Sequence, residues 1–179
     1  MTIEQLESIL QQLRELPCET EWVEFKEAKR GYDFRKLGQY VSALANEANL
    51  KDRSCAWLLF GVRDEDRVIV GSDFRESAVD LNNLKQEIAA HTNGGFTFLD
   101  IHVLEHCDGR VVLFQIPPAP RGVPVAWQGH WYGRNGASLA PLALYELATL
   151  LLLGRPRASH YLEPAVAQIS WRLEGEERA

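Results

Sequence analysis

The chain has 179 residues, 46% of them hydrophobic and 25% charged, which is the makeup of one globular domain with enough apolar mass to bury a core. A formal net charge of −6 argues against a uniformly basic surface, so contact with a polyanion needs a local concentration of Lys and Arg. Cys18, Cys55 and Cys107 are odd in number, far apart and without a CxxC step, which argues against a disulfide framework or a zinc ribbon.

Thr2 and Gln5 have capping-box spacing, and Ile3, Leu6, Ile9, Leu10 and Leu13 share one stripe, so a helix is predicted from residue 2 to about residue 16. Pro17 stops it. This segment has no basic stretch followed by an apolar one, and the expectation is a cytoplasmic protein. Residues 22–28 alternate as a strand, with Val23 and Phe25 on one face and Trp22, Glu24 and Lys26 on the other. The Glu24 carboxylate should therefore face away from the apolar side. Asp33 can cap the next helix, in which Leu37, Tyr40, Val41, Leu44, Ala45 and Ala48 recur at helical spacing.

Residues 55–62 are a continuous apolar run of strand length, the pattern of a central strand buried on both faces. A polar turn over 63–67 and a short partner strand over 68–70, ending at Gly71, are predicted next. A helix over residues 76–92 is broken by Asn93-Gly94-Gly95. Strands near 98–104 and 110–116 join through Cys107-Asp108-Gly109, a hairpin signal. Pro117, Pro118, Pro120, Gly122 and Pro124 make a stiff connector to strand-like segments at 125–127 and 131–132. After Pro141 a last helix is predicted over 142–153. Its leucine run is too short to cross a bilayer, and no membrane partner is expected. Its apolar surface could exceed what one small sheet covers, which makes a homodimer an expectation.

The fold class that follows is mixed α/β (α+β): a single domain, its mixed sheet built with antiparallel hairpins and flanked by helices. Its expected organisation is an N-terminal helix over 1–17, the domain over 18–156 and an appendage over 157–179. Charge is unevenly spread. Lys26, Lys29, Arg30, Arg35 and Lys36 follow the first strand, and Arg110, Arg121, Arg134, Arg155 and Arg157 face only Glu146 within their stretch. Either a local anion-binding face or a solvated surface of mixed charge would explain this.

Four segments occur in a fixed order: Glu19-Thr20-Glu21-Trp22-Val23-Glu24-Phe25-Lys26, then Ala43-Leu44-Ala45-Asn46-Glu47, then Leu58-Leu59-Phe60-Gly61-Val62-Arg63-Asp64, and Gly129-His130-Trp131-Tyr132-Gly133-Arg134-Asn135-Gly136. Together they resemble the Schlafen AlbA_2 family across residues 18–146. The family's small-residue turn after the Ala-Asn pair is replaced here by residues 47–54, Glu-Ala-Asn-Leu-Lys-Asp-Arg-Ser. The resemblance implies a domain directed at RNA or DNA, and two readings stay open. One is a divalent-metal-dependent endoribonuclease acting on tRNA or other structured RNA. The other is a non-catalytic DNA- or RNA-binding module of a transcriptional regulator.

On the first reading Glu19, Glu24 and Asp64 match the family's three catalytic carboxylates, whose hard oxygens would hold Mg²⁺ or Mn²⁺. The residues themselves also allow a same-face ion pair between Glu24 and Lys26, and an ordinary turn role for Asp64 within Asp64-Glu65-Asp66. Trp131, Tyr132 and Arg134 combine aromatic faces with a guanidinium, a set suited to stacking on bases and contacting phosphate, although aromatic pairs on strands also serve cross-strand packing. With Lys26 and Arg121 they complete the candidate nucleic-acid contacts. The glycines form no Walker A or dinucleotide pattern. His102 and His106, four apart on a strand, lack a zinc-hydrolase motif, and no Gly-x-Ser-x-Gly elbow occurs.

Overall fold

The computed structural model describes residues 1–16 and 20–152. Pro17, Glu19 and the appendage expected over 157–179 lie outside the described residues. The first helix, α1 (Ile3–Arg14), starts on the expected capping box: the Thr2 hydroxyl accepts from the Gln5 amide at 3.3 Å, and the Gln5 side chain accepts from the Thr2 amide at 2.9 Å. Leu6, Leu10 and Leu13 are buried, whereas Ile3 stays exposed.

The main sheet holds β1 (Val23–Lys26), β2 (Ala56–Phe60), β3 (Asp100–His106) and β4 (Gly109–Ile116) in the order β1-β2-β4-β3. The β1–β2 pair is parallel, and the other two pairs are antiparallel. All five residues of β2 are buried, so the run read as central is central. Its alternation serves two cores. Trp57 and Leu59 join Val23, Phe25, Val111 and Leu113 under α1. Leu58 and Phe60 join Val112 and Phe114 under α2 (Phe34–Leu50) and α3 (Ala78–His91). There the Phe60 ring meets Phe74 and Phe114 edge-on, with centroids 5.0 and 4.9 Å away.

The partner strand expected at residues 68–70 is reduced to one bridge between Val62 and Ile69. Both edges of β2 are already taken, by β1 and β4, so this segment has no open ladder to join. Instead the Val70 and Gly71 amides both donate to the Gly61 carbonyl, where Gly61 adopts φ +92°.

A second, three-stranded antiparallel sheet follows: β5 (Ala126–Trp127), β6 (His130–Asn135) and β7 (Ser138–Pro141). The last of these lies between the predicted segments at 131–132 and 142–153, where no strand is predicted. It forms because Gly136, at φ +60°, reverses the chain and lets Arg134 pair with Leu139. Helix α2 contacts elements of both sheets, and α4 (Leu144–Leu152) follows β7. Among its described residues α4 buries Leu150 while Leu144 and Tyr145 stay exposed. No helix among the described residues is long and apolar enough to cross a membrane.

Candidate nucleic-acid interface

Alternation along β1 sends Val23 and Phe25 to the α1 side and Glu24 to the other, as the pattern requires. That second face is nevertheless covered: Glu24 is 0% exposed. Its carboxylate accepts from Lys26 Nζ and from Arg134 Nη1, the latter reaching across from β6. The Arg134 side chain is likewise 0% exposed, and its guanidinium also donates to the Ala137 carbonyl at 2.8 Å and the Gly136 carbonyl at 3.4 Å. Such a buried pair is better tolerated when further donors are bonded, as these two are. Tyr40 lies beside it, its ring 5.4 Å from Lys26 Nζ and 5.9 Å from the guanidinium carbon of Arg134. Burial first, and then the Glu24 charge, push the Tyr40 phenol upward.

A polar stripe on α2 holds β5 and β6 over this cluster. Asn46 is buried, and its amide donates to the Val125 and Tyr132 carbonyls at 2.9 Å and accepts from the Val125 amide at 2.8 Å. One turn earlier, the Ser42 hydroxyl donates to the Val125 carbonyl and accepts from the Tyr132 amide. Glu47 Oε1 accepts from the Arg134 amide at 2.9 Å; burial pushes this carboxyl up, partly opposed by that hydrogen bond. Two glycines make the approach feasible. A Cβ on Gly38 would sit 2.2 Å from the Trp127 ring, and one on Gly133 would sit 2.7 Å from Leu142 Cδ1. The Asn46-Glu47 motif and the Gly129 to Gly136 motif are therefore two sides of one joint.

The remaining candidates are spread more widely. Trp131 is 43% exposed on β6, while Tyr132 is half-buried and its hydroxyl accepts from Gln39 Nε2 at 3.1 Å. Arg121 is exposed and lines a shallow pocket with Asn49, Arg53 and Pro120. Asp64 follows β2 and accepts from Arg67 Nη1 at 2.7 Å. It shares a cleft with Lys26, Glu27 and Arg63. The structure thus gathers Glu24, Lys26 and Arg134, whereas Asp64 has its own cationic partner and Glu19 lies outside the described residues. Each of the two described acids already accepts from a cation. A hard divalent ion at Glu24 would have to displace Lys26 or Arg134.

Next to this cluster stands a group of cations that the site reading passed over. Lys29, Arg30, Arg35 and Lys36 are all exposed around the start of α2, where Asp33 Oδ1 caps the Lys36 amide at 2.7 Å. Lys29 has a loose contact with Glu27 at 3.9 Å. Arg30, Arg35 and Lys36 form no side-chain ion pair with a described residue. Basic residues in a first helical turn oppose the helix dipole, and among residues 33–37 the capping Asp33 is the one acid set against two cations. That mismatch, visible in the sequence, was the available signal. The cations also connect to the cluster. Arg35 stands one turn ahead of Gln39, which holds Tyr132, and Lys36 one turn ahead of Tyr40, which flanks Lys26 and Arg134.

Residues 19–143 match the family model described as Schlafen, AlbA_2. No curated protein sequence matches the chain. Among solved structures, the crystal structure of the DIP2311 protein from Corynebacterium diphtheriae is similar at a TM-score of 0.55 and 19% identity, over 82% of this chain and 28% of that one. This likeness is one of fold, and the chain spans under a third of that protein's length. The solution structure of the N-terminal domain of an ATP-dependent DNA helicase RecG-related protein from Nitrosomonas europaea aligns over 73% of this chain and 88% of that one, with 18% identity and a TM-score of 0.47.

Proposed function

The chain belongs to the Schlafen AlbA_2 family, and from that premise we propose that it is a module that binds RNA or DNA through the start of α2 and the neighbouring β6 surface. The observation that carries this reading is the set Arg30, Arg35 and Lys36: all three are exposed and without an acidic partner among the described residues, and Arg35 and Lys36 stand in the first turn of α2, against its dipole. A phosphate backbone supplies the missing negative charge, and backbone contacts of this kind are the main source of affinity for nucleic acids. The exposed indole of Trp131 adds a stacking face for an unpaired base. Arg134, buried and bonded to Glu24, acts by holding β6 in place.

The test is fluorescence anisotropy of labelled single-stranded RNA and DNA against salt concentration. Replacing Arg30, Arg35 and Lys36 together by Ala should lower the log–log salt slope by about 2, since each phosphate contact on a single strand contributes about 0.7. Trp131→Ala should weaken binding by about 1–3 kcal/mol and leave that slope unchanged. Absence of salt-dependent binding to any RNA or DNA would overturn the proposal.

Metal-dependent endoribonuclease action through Glu19, Glu24 and Asp64, with Mg²⁺ or Mn²⁺, is the second reading. It is favoured by one feature: Lys26 contacts Glu24 and also lines the cleft that holds Asp64, so the two acids flank one residue. Incubation with tRNA and Mn²⁺ separates the readings. An enzyme loses cleavage in EDTA and in Asp64→Asn, a change at an exposed position that spares the fold. A binding module retains RNA binding under both conditions and cleaves under neither.

A further inference from the structure

The β3–β4 hairpin carries a feature that the nucleic-acid reading does not use. His106 pairs with Gly109 across a two-residue tip, so Cys107 and Asp108 project from the turn beside the imidazole. The His106 Nδ1 atom lies 3.5 Å from Cys107 Sγ and 3.4 Å from Asp108 Oδ2. All three potential ligand atoms fall within 4.8 Å of one another, and among the described residues this is the one such group of His, Cys, Asp or Glu.

We propose that this tip is a binding site for a borderline-soft divalent cation of the zinc class, held by His106 Nδ1, the Cys107 thiolate and an Asp108 carboxylate oxygen. The distances carry the assignment. Tetrahedral zinc with bonds of about 2.0–2.3 Å has ligand-to-ligand edges of about 3.3–3.7 Å. Two of the three edges here already have that length, and the third closes by a side-chain rotation at an exposed position. Nδ1 accepts from the Asp108 amide at 3.2 Å, so its lone pair points into the loop where the metal would sit, and the metal replaces that hydrogen bond. Nitrogen, sulfur and oxygen donors together suit zinc and discriminate against Mg²⁺ and Ca²⁺, which prefer oxygen alone.

The base of the hairpin is braced. The Arg110 guanidinium donates to the Ser72 and Phe74 carbonyls at 2.9 Å, and Gly109 packs so closely on Gly71 that a Cβ would meet its Cα at 2.8 Å. The ligands are therefore carried on a backbone whose position is already determined, which lowers the ordering cost of binding. Three protein ligands leave a fourth position for water or a further donor.

Titration of the reduced, full-length protein with Co²⁺ tests the site. The expected result is one equivalent of cobalt with a thiolate-to-cobalt charge-transfer band, displaced by Zn²⁺, retained in Cys55→Ser and lost in Cys107→Ser and His106→Gln. Circular dichroism should show Cys107→Ser and His106→Gln folded, because the tip lies beyond both cores, and Cys55→Ser folded as well, because this half-buried position against the α1-side core receives a side chain of nearly the same size. A charge-transfer band that survives in Cys107→Ser, or its absence from the wild-type protein at micromolar cobalt, would overturn the assignment. The outcome is independent of nucleic-acid binding, since an oxygen-only site at Glu24 or Asp64 gives no thiolate band.

Discussion

The interior beneath β6 and the rim at the start of α2 hold the same kinds of charge and treat them in opposite ways. Beneath β6, Glu24 meets Lys26 and Arg134, and the rest of the guanidinium is taken up by carbonyls. At the rim, Arg30, Arg35 and Lys36 point into solvent without a described acidic partner. Charges removed from water must be paired to persist, whereas exposed ones cost little and remain available to a ligand. Motif residues that invite a catalytic or contact role can therefore be occupied in joining two sheets, with the ligand-ready groups standing one helical turn away.

Removing one side of the interior pair should have the largest effect. Arg134→Ala leaves Glu24 buried with Lys26 as its cationic partner among the described residues, and is expected to cost about 3–5 kcal/mol in urea unfolding. The double change Glu24→Leu with Arg134→Met should recover most of that loss, because both fully buried charges are gone and Lys26, whose side chain is partly exposed, can turn to water. A single variant as stable as the wild type would erase the distinction between the two regions. Asn46→Ala tests the joint itself. It strands the Val125 amide and the Tyr132 carbonyl, while the Val125 carbonyl keeps the Ser42 hydroxyl, and should cost about 1–3 kcal/mol.

The rim should behave in the reverse way. Arg35→Ala and Lys36→Ala should leave stability unchanged or raise it by about 0.3–1 kcal/mol each at low salt, because each removes a cation from a helix N-terminus. The gain should fade in high salt. Destabilisation by either change would mean that the rim cations are structural after all.

The smallest effect concerns Glu47, whose carboxyl is pushed up by burial. A raised folded-state value means the folded protein holds this proton more tightly than the unfolded chain. The group's contribution is therefore fullest at acid pH and is lost as pH rises from the ordinary carboxylate range through the folded value. Glu47→Gln keeps an acceptor for the Arg134 amide and should flatten this part of the pH–stability profile, with a slight gain at neutral pH. An unchanged profile would show that Glu47 is not the group responsible.

Much of the fold was legible because it depends on local patterns. The capping box at Thr2, the Asp33 cap and the apolar run that became β2 each follow from short-range chemistry that a sequence displays directly. Strand β7 and the failed pairing at 68–70 were not legible, since both depend on which sheet edge is already occupied. The same boundary runs through the candidate site. That Glu24 lies opposite Val23 and Phe25 follows from the two-residue period of a strand. That this opposite face is dry does not follow, because its cover arrives from Arg134, 110 residues later in the chain. Sequence alone determined the resemblance, the main elements, and the basic cluster between Lys26 and Lys36. The tertiary structure decided which charges are enclosed and which stay open, because burial depends on what the rest of the chain brings to each face.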